Sequence, residues 1–419
     1  MKILIVGGGG REHAIAWKLA QSPKKPELFC APGNGGIEEF AHCVPIRATD
    51  IDGICAFAKE NAIDMVVVAP DDPLVAGMVD ALTKEGIRAF GPTADAAIIE
   101  GSKVFSKDLM RKYGIPTANY ATFDNAKDAI CYLEQSTFPT VIKAEGLALG
   151  KGVIIADSFE KAKDAVLQIM MDKKFGKAGD RIVIEEFLTG REISVLAFTD
   201  GKTLLPMCSA QDHKRALDGD QGLNTGGMGA YSPSPIYDDK MEAECMEKIF
   251  LPTIRAMQAE GRPFKGVLYF GLMATKDGVR VIEYNARFGD PETQVVLPRL
   301  KTDLLSIMEA IIDERLSEIT LSWEEDAAAC IILASGGYPK SYKTGYEIFG
   351  LDKVEQATVF HSGTKIEENV YKTAGGRVLG VTAMGATLSD AIQKAYMEVA
   401  KIQFTDMHFR HDIGRTGVL

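Results

Sequence analysis

No stretch of this 419-residue sequence approaches the length of a membrane span. The apolar run after the first residue, Ile3-Leu4-Ile5-Val6, is too short for the core of a signal peptide. Seven cysteines (Cys30, Cys43, Cys55, Cys131, Cys208, Cys245 and Cys330) are scattered, odd in number and never in Cys-x-x-Cys spacing. That argues against a zinc site and predicts reduced thiols in a cytoplasmic protein. Positive charge is in deficit: 47 Lys and Arg face 58 Asp and Glu, a net charge of −11. The balance argues against non-specific binding to nucleic acid or an anionic membrane, and a small anionic substrate would need a focused cluster of cations and backbone N–H groups. The sequence also lacks His-Glu-x-x-His and Gly-x-Ser-x-Gly motifs. What remains is ordinary globular composition, 46% apolar and 25% charged. The chain is too long for one core, so two to four domains are expected.

The first hundred residues alternate β-rich runs, at 2–6, 27–31 and 64–68, with helical patterns at 11–20, 51–60 and 73–84. This predicts a doubly wound parallel α/β domain ending near Gly91-Pro92-Thr93. A helix at 102–112 follows, then a small α+β module with antiparallel strands: helix 124–135, strand 139–144, a glycine-rich loop, strand 153–156, helix 158–171 and strand 181–187. A larger sheet-and-helix block runs to about 325, and the apolar run 327–334 begins a C-terminal α+β domain. The expected divisions are 1–101, 102–325 (enclosing the small module at about 121–190) and 326–419.

Five stretches carry candidate chemistry. Gly7-Gly8-Gly9-Gly10-Arg11-Glu12-His13 follows the first strand and opens a helix, where backbone N–H groups and the helix terminus favour an anion. A nicotinamide fingerprint would show a third glycine at Glu12 or His13 and an acid ending the second strand, which instead ends Cys30-Ala31-Pro32-Gly33. The bland alternative is a glycine turn needed only for helix–sheet packing. Lys143-Ala144-Glu145-Gly146-Leu147-Ala148-Leu149-Gly150-Lys151-Gly152 looks like a P-loop, yet Gly152 stands where Ser or Thr should, and a β-branched run follows. The loop therefore joins two strands and suits a mobile flap over a triphosphate, with Lys143 neutralising charge; a solvated hairpin is its competitor. Ile182-Val183-Ile184-Glu185-Glu186-Phe187-Leu188 is an apolar strand with two acids at an exposed end, suited to an adenine edge or merely a charged sheet edge.

Residues 211–231 form a long loop rich in glycine and cations, including Asp212-His213-Lys214-Arg215 and Gly226-Gly227-Met228-Gly229. A lone histidine such as His213 is more often structural, though this one sits among cations. The sharpest constellation is Glu283-Tyr284-Asn285-Ala286-Arg287-Phe288-Gly289-Asp290-Pro291-Glu292. Asp277-Gly278 predicts a hairpin pairing 268–275 with 279–285, and period two puts Glu283 and Asn285 on one face. Both offer oxygen ligands for Mg²⁺ shared with phosphates, and Arg287 lies just beyond to meet developing charge.

Taken together, in order through residues 2–294, these motifs resemble the ATP-grasp ligases and, within them, the phosphoribosylamine–glycine ligase family. Phe90-Gly91-Pro92-Thr93, Glu100-Gly101-Ser102-Lys103 and Arg287-Phe288-Gly289-Asp290-Pro291-Glu292-Thr293-Gln294 add to the match. The resemblance implies ligation of glycine to 5-phosphoribosylamine in purine biosynthesis through a glycyl phosphate, using ATP and Mg²⁺ or Mn²⁺; the sequence does not settle the oligomeric state, and a monomer is the expectation. It implies that Lys103, Lys143, Gly150, Lys151 and Gly152 contact phosphates. Glu185 would read adenine with Glu186, Phe187 and Leu188, and Glu192 would hold ribose. Glu283 and Asn285 would bind metal. Gly8, Gly9, Gly10, Asp212, Gly226, Gly227, Met228, Arg287 and Asp290 would bind substrate. Arg287, Lys143, His213, Lys214 and Asp290 are the expected catalytic group. Departures from the family pattern are Gly8 for asparagine, Ala69 and Asp71 for Gly and Glu, Glu145 for aspartate, and Leu149 for a small residue. Gly271 and Leu272 stand where many ATP-grasp enzymes carry another metal carboxylate, which predicts few protein ligands.

Overall fold

The computed structural model describes residues 1–147 and 152–418; Leu149, Gly150 and Lys151 of the glycine-rich hairpin lie outside the described residues. The early apolar runs lack alternation because their strands are covered on both faces. Lys2–Gly7 is the middle of a five-stranded parallel sheet, ordered His42–Cys43, Glu27–Pro32, Lys2–Gly7, Met65–Val68, Arg88–Phe90. Ile3 and Ile5 enter one core while Leu4 and Val6 enter another on the opposite face. The strand order reverses beside the carboxyl end of Lys2–Gly7, which is where an open α/β sheet offers a crevice, and the glycine loop opens there. The helix expected over 73–84 is two, Asp71–Val75 and Met78–Lys84, because Gly77 takes φ +88° between them.

The small module is a four-stranded antiparallel sheet, ordered Tyr120–Phe123, Ile182–Glu186, Thr140–Ala144, Val153–Ala156. Ile142, Ala144, Ile182 and Ile184 bury against the helices Ala126–Leu133 and Phe159–Val166. Period two then turns Lys143 and Glu185 to the other face, toward the larger sheet.

That larger sheet is ordered Leu204–Pro206, Arg191–Asp200, Lys265–Thr275, Gly278–Asn285, and its last two strands are the expected hairpin, with Gly278 at φ +108°. Gly271 faces Glu283 and Leu272 faces Val281, so Ile282 is an extra residue, a bulge. Strict alternation from the buried Val279 and Val281 would send Glu283 inward. The bulge reverses the phase, so Glu283 and Asn285 share the open face with Arg280 while Tyr284 enters the core.

The stretch 211–231, expected as one loop, is mostly strand: Gln211–Asp212, Arg215–Leu217, Gln221–Asn224 and Gly229–Ser232. The first and last join a sheet continued by Ala327–Ser335, Arg377–Gly385 and Thr358–His361, so this sheet crosses the division expected at 325. One core likewise holds Ile3, Phe198, Ala328 and Phe360 from all three divisions. Among the described residues no helix is long and apolar enough to cross a membrane.

Three histidines are buried in this body. His13 Nδ1 accepts the His361 N–H at 2.8 Å, and burial together with the His361 charge lowers its pKa to about 3. Burial lowers His361 to about 4, and burial plus Arg410 lowers His213 to about 4. Unfolded, all three titrate near 6.5. Between about pH 6.5 and 4 the unfolded chain therefore binds protons that the folded chain refuses, and stability falls as pH falls. Urea unfolding from pH 7 to 5 should show this loss, the three histidines contributing up to about 4 kcal/mol per pH unit against the opposing contribution of the raised Asp212 carboxyl. His361→Asn should reduce the histidine contribution by roughly one-third; a midpoint that rises as pH falls across this window would contradict the assignment.

Candidate active site

The cleft between the small module and the larger sheet is built around cations that meet one carboxylate. Lys143 Nζ lies 3.0 Å from Glu185 Oε1 and donates to Ile282 O at 3.2 Å, which ties the module to the strand bearing Glu283. Lys103 Nζ donates to Gly146 O at 3.0 Å. Lys214 Nζ sits 3.0 Å from Glu192 Oε2 and 3.9 Å from Glu283 Oε1. Burial pushes the Glu283 carboxyl up, but Lys214, Lys143, Lys103 and Arg287 outweigh it and hold the group below its usual value. Lys143 and the Glu283–Asn285 strand end thus share one cleft.

Glu185 is not at an exposed strand end. It is buried in the second strand of its sheet, with Lys107 Nζ at 3.0 Å on Oε2 and Lys143 on Oε1. The Lys143 contact lacks hydrogen-bond alignment, so Glu185 Oε1 remains an acceptor without a donor. Burial lowers Lys107 to about 8 against the pull of Glu185. Glu186 accepts Asn119 N (2.9 Å), Asn119 Nδ2 (3.0 Å) and Arg280 Nη1 (2.9 Å), while Phe187 is exposed beyond it.

Behind the metal-type ligands stands Glu100, buried at the end of the helix Ala94–Gly101. It accepts Ala286 N at 2.6 Å and meets Arg287 Nη2 at 3.1 Å. With the Asn285 amide oriented to satisfy both its ends, its nitrogen donates to Glu100 Oε1 at 3.0 Å. Arg287 Nη1 donates to Phe288 O, and its Nε is buried with no partner. Asp71, despite replacing a longer acid, acts electrostatically on both Glu100 and Arg287. Glu145 is likewise engaged, accepting Ser102 Oγ at 2.9 Å.

Alternation also sorts Asp212, His213 and Lys214. Asp212 and Lys214 face the carboxylates of Glu192, Glu283 and Glu292, and burial with those neighbours pushes the Asp212 carboxyl up. His213, expected to be catalytic, points the other way: its ring lies against Tyr231 and accepts Gly414 N at 3.4 Å. Met228, expected to bind substrate, is also turned from the cleft. Its side chain is fully buried in the C-terminal core, and its N–H and C=O are bonded to His213 and Ile332.

The glycine loop meets the Asp290 turn. Gly9 N donates to Glu12 Oε2 at 2.6 Å, and a Cβ on Gly9 would lie 3.9 Å from Asp290 Oδ2. A Cβ on Gly10 would come within 2.6 Å of both Gln294 Nε2 and Ser362 Oγ. Gly8 packs on the Gly33 backbone and leaves no room for a side chain in this arrangement. Gly227, at φ +108°, would place a Cβ 2.4 Å from Pro291 Cδ. Burial raises Asp290, but Arg377, Arg11, Gln294 and Arg287 hold it below the usual carboxylate range. Arg377 and Lys107 carry no sequence signal for these contacts, and Glu100 lies in a recognisable stretch that does not reveal its partners.

Family models for phosphoribosylglycinamide synthetase match the chain in three consecutive parts: the N domain over residues 1–100, the ATP-grasp (A) domain over 101–293 and the C domain over 328–416. The chain is 50% identical to a phosphoribosylamine–glycine ligase of Halalkalibacterium halodurans, over 100% of this chain and 97% of that one. It is 49% identical to a namesake from Caldanaerobacter subterraneus subsp. tengcongensis, over 99% of each. Among solved structures it is similar to phosphoribosylamine–glycine ligase from Thermotoga maritima, at 31% identity and a TM-score of 0.87, covering 99% of this chain and 100% of that one.

The buried Lys107–Glu185–Lys143 group yields a prediction about stability. Glu185→Ala leaves two buried ammonium groups without a counter-charge and should cost about 3–5 kcal/mol in urea unfolding of the free protein. A loss below about 1 kcal/mol, the level of an exposed pair, would show that the group is not truly buried.

Proposed function

The chain belongs to the phosphoribosylglycinamide synthetase family, and from that premise we propose how its cleft joins glycine to 5-phosphoribosylamine. It is an ATP-grasp ligase that makes glycinamide ribonucleotide in purine biosynthesis. The observation that carries the reaction scheme is the convergence of Lys103, Lys143, Lys214 and Arg287 on Glu283 in a chain that is acidic as a whole.

A carboxylate resists attack by an amine, so activation comes first. An oxygen of the glycine carboxylate attacks the γ-phosphorus of ATP; the bond to the β–γ bridging oxygen breaks, giving ADP and glycyl phosphate. The amine nitrogen of 5-phosphoribosylamine then attacks the acyl carbon. The bond to the phosphate oxygen breaks, phosphate leaves with the electron pair, and the nitrogen gives up one proton to the departing phosphate.

Lys103 and Lys143 neutralise nucleotide phosphates, with Gly150, Lys151 and Gly152 covering them. Glu185, through its unpaired Oε1, and Glu186, Phe187 and Leu188 form the base site, and Glu192 takes the ribose. Glu283 and Asn285 would hold a Mg²⁺ or Mn²⁺ ion, since both offer oxygen donors on one face. Such an ion, when bound, would neutralise phosphate charge. Arg287, anchored by Glu100 with Nε left unpaired, stabilises charge spreading during transfer. The carboxylates around Asp212 suit the glycine ammonium group. Gly8, Gly9, Gly10, Gly226, Gly227 and Asp290 form the amine-substrate site, with Asp290 held ionised to accept a hydrogen bond from the incoming amine. All these groups come from one chain, which supports a functional monomer, and seven free cysteines suit a reducing cytoplasm.

The test is ADP release that requires glycine and freshly made 5-phosphoribosylamine together, with bicarbonate or formate failing to replace glycine. Release without either substrate, or with bicarbonate alone, would sink the assignment. Arg287→Ala should lower turnover by about 10²–10³-fold while ATP affinity stays within a few-fold; near-normal turnover would remove Arg287 from the chemistry.

A further inference from the structure

The C-terminal sheet reaches into the amine-substrate site at one point. Arg377, the first residue of the strand Arg377–Gly385, donates through Nη1 to Gly226 O at 2.6 Å and to Asp290 O at 3.0 Å. Its Nη2 meets Asp290 Oδ2 at 2.9 Å. The same sheet's neighbourhood supplies Tyr338, whose hydroxyl accepts the Gly226 N–H at 3.0 Å. Gly226 is thus held at both its backbone groups, and its lack of a side chain lets the guanidinium lie against it: an added Cβ would stand 3.0 Å from Arg377 Cζ. Next to it, Gly227 packs against Pro291 of the opposing turn. Two loops distant in sequence are therefore pinned together by one side chain from a third region.

We infer that Arg377 is a positioning residue of the amine-substrate site: its guanidinium fixes the separation of the Gly226–Gly227 and Asp290–Pro291 loops and the aim of the Asp290 carboxylate. This rests on the reading that those loops receive 5-phosphoribosylamine. The planar fork is what the task requires, because it meets three acceptors in fixed directions, which a lysine ammonium on a flexible stem cannot do. Both Nη atoms already serve protein acceptors, so the residue acts through Asp290 and Gly226. A misplacement of about 1 Å in a substrate-holding group costs on the order of 10²-fold in rate.

The experiment compares Arg377→Ala, Arg377→Gln and Arg377→Lys with the unaltered protein, using ADP release with each substrate varied in turn. For Arg377→Ala, kcat/KM for 5-phosphoribosylamine should fall about 100-fold, with KM for ATP and for glycine within about twofold. Lysine should restore only part of the loss. Because Arg377 acts through Asp290, adding Arg377→Ala to Asp290→Asn should cost far less than it does alone, at most about tenfold. Should Arg377→Ala fail to fold, as judged by its urea midpoint, Arg377→Gln carries the same comparison.

Constants for all three substrates moving together would indicate general loosening and overturn the proposal. So would an undiminished effect in the Asp290→Asn background, which would mean direct substrate contact, or values for 5-phosphoribosylamine within about twofold of normal. If the unaltered protein releases no ADP with glycine and 5-phosphoribosylamine, the parent reading fails instead.

Discussion

One buried carboxylate fixes the geometry on which the cleft depends. Glu100 receives the Ala286 N–H, the Asn285 amide and the Arg287 guanidinium, so a single anion sets the exit of the strand Gly278–Asn285. Burial, with Asp71 adding to it, holds its pKa above the usual carboxylate value, although Arg287 and the Ala286 N–H favour the charged form. A buried acid with this many donors is stable in place, whereas removal would leave Arg287 without the carboxylate it touches. Asn285 and the arginine beyond it are therefore oriented by the same contact. Pre-organisation of this kind removes the need to reorient either group when a substrate binds.

The cations of the cleft are concentrated in a chain that is acidic as a whole: its net charge is −11, yet Lys103, Lys143, Lys214 and Arg287 all act on Glu283. Low-dielectric walls strengthen the pull of each of these cations on a nearby anion. Glu185 and Lys107 complete the balance on the module side, which keeps Lys143 from being a lone buried cation. On the amine side the same logic recurs with the sign of the centre kept: Asp290 is ionised because Arg377 and Arg11 surround it.

Much of the fold was legible because it rests on local patterns. Apolar runs at 2–6 and 64–68 marked strands covered on both faces, and Asp277-Gly278 marked the hairpin that presents Glu283. Period two put Glu283 and Asn285 on one face, and the pairing bears this out. It did not tell which face, since the extra residue Ile282 reverses the phase and has no signature in an otherwise regular strand. Glycines and charges made 211–231 read as a loop, yet Gly229 is there because the strand Ala327–Ser335 approaches too closely for a side chain, with Cys330 O at 2.7 Å from any Cβ. The glycine reported contact, and only the partner strand distinguishes that from flexibility.

By itself the sequence determined the doubly wound start, the antiparallel module, the hairpin that presents Glu283 and Asn285 and, through the order of its motifs, the family, because these depend on spacing within short windows. Tertiary structure decided which side chains enter the cleft. It turned His213 and Met228 away, drew Glu185 between two lysines, and brought Glu100 to Ala286 across 186 residues and Arg377 to Asp290 across 87. Such pairings hold because burial makes an unpaired charge costly wherever its partner lies in the chain, and no local pattern encodes where that partner is.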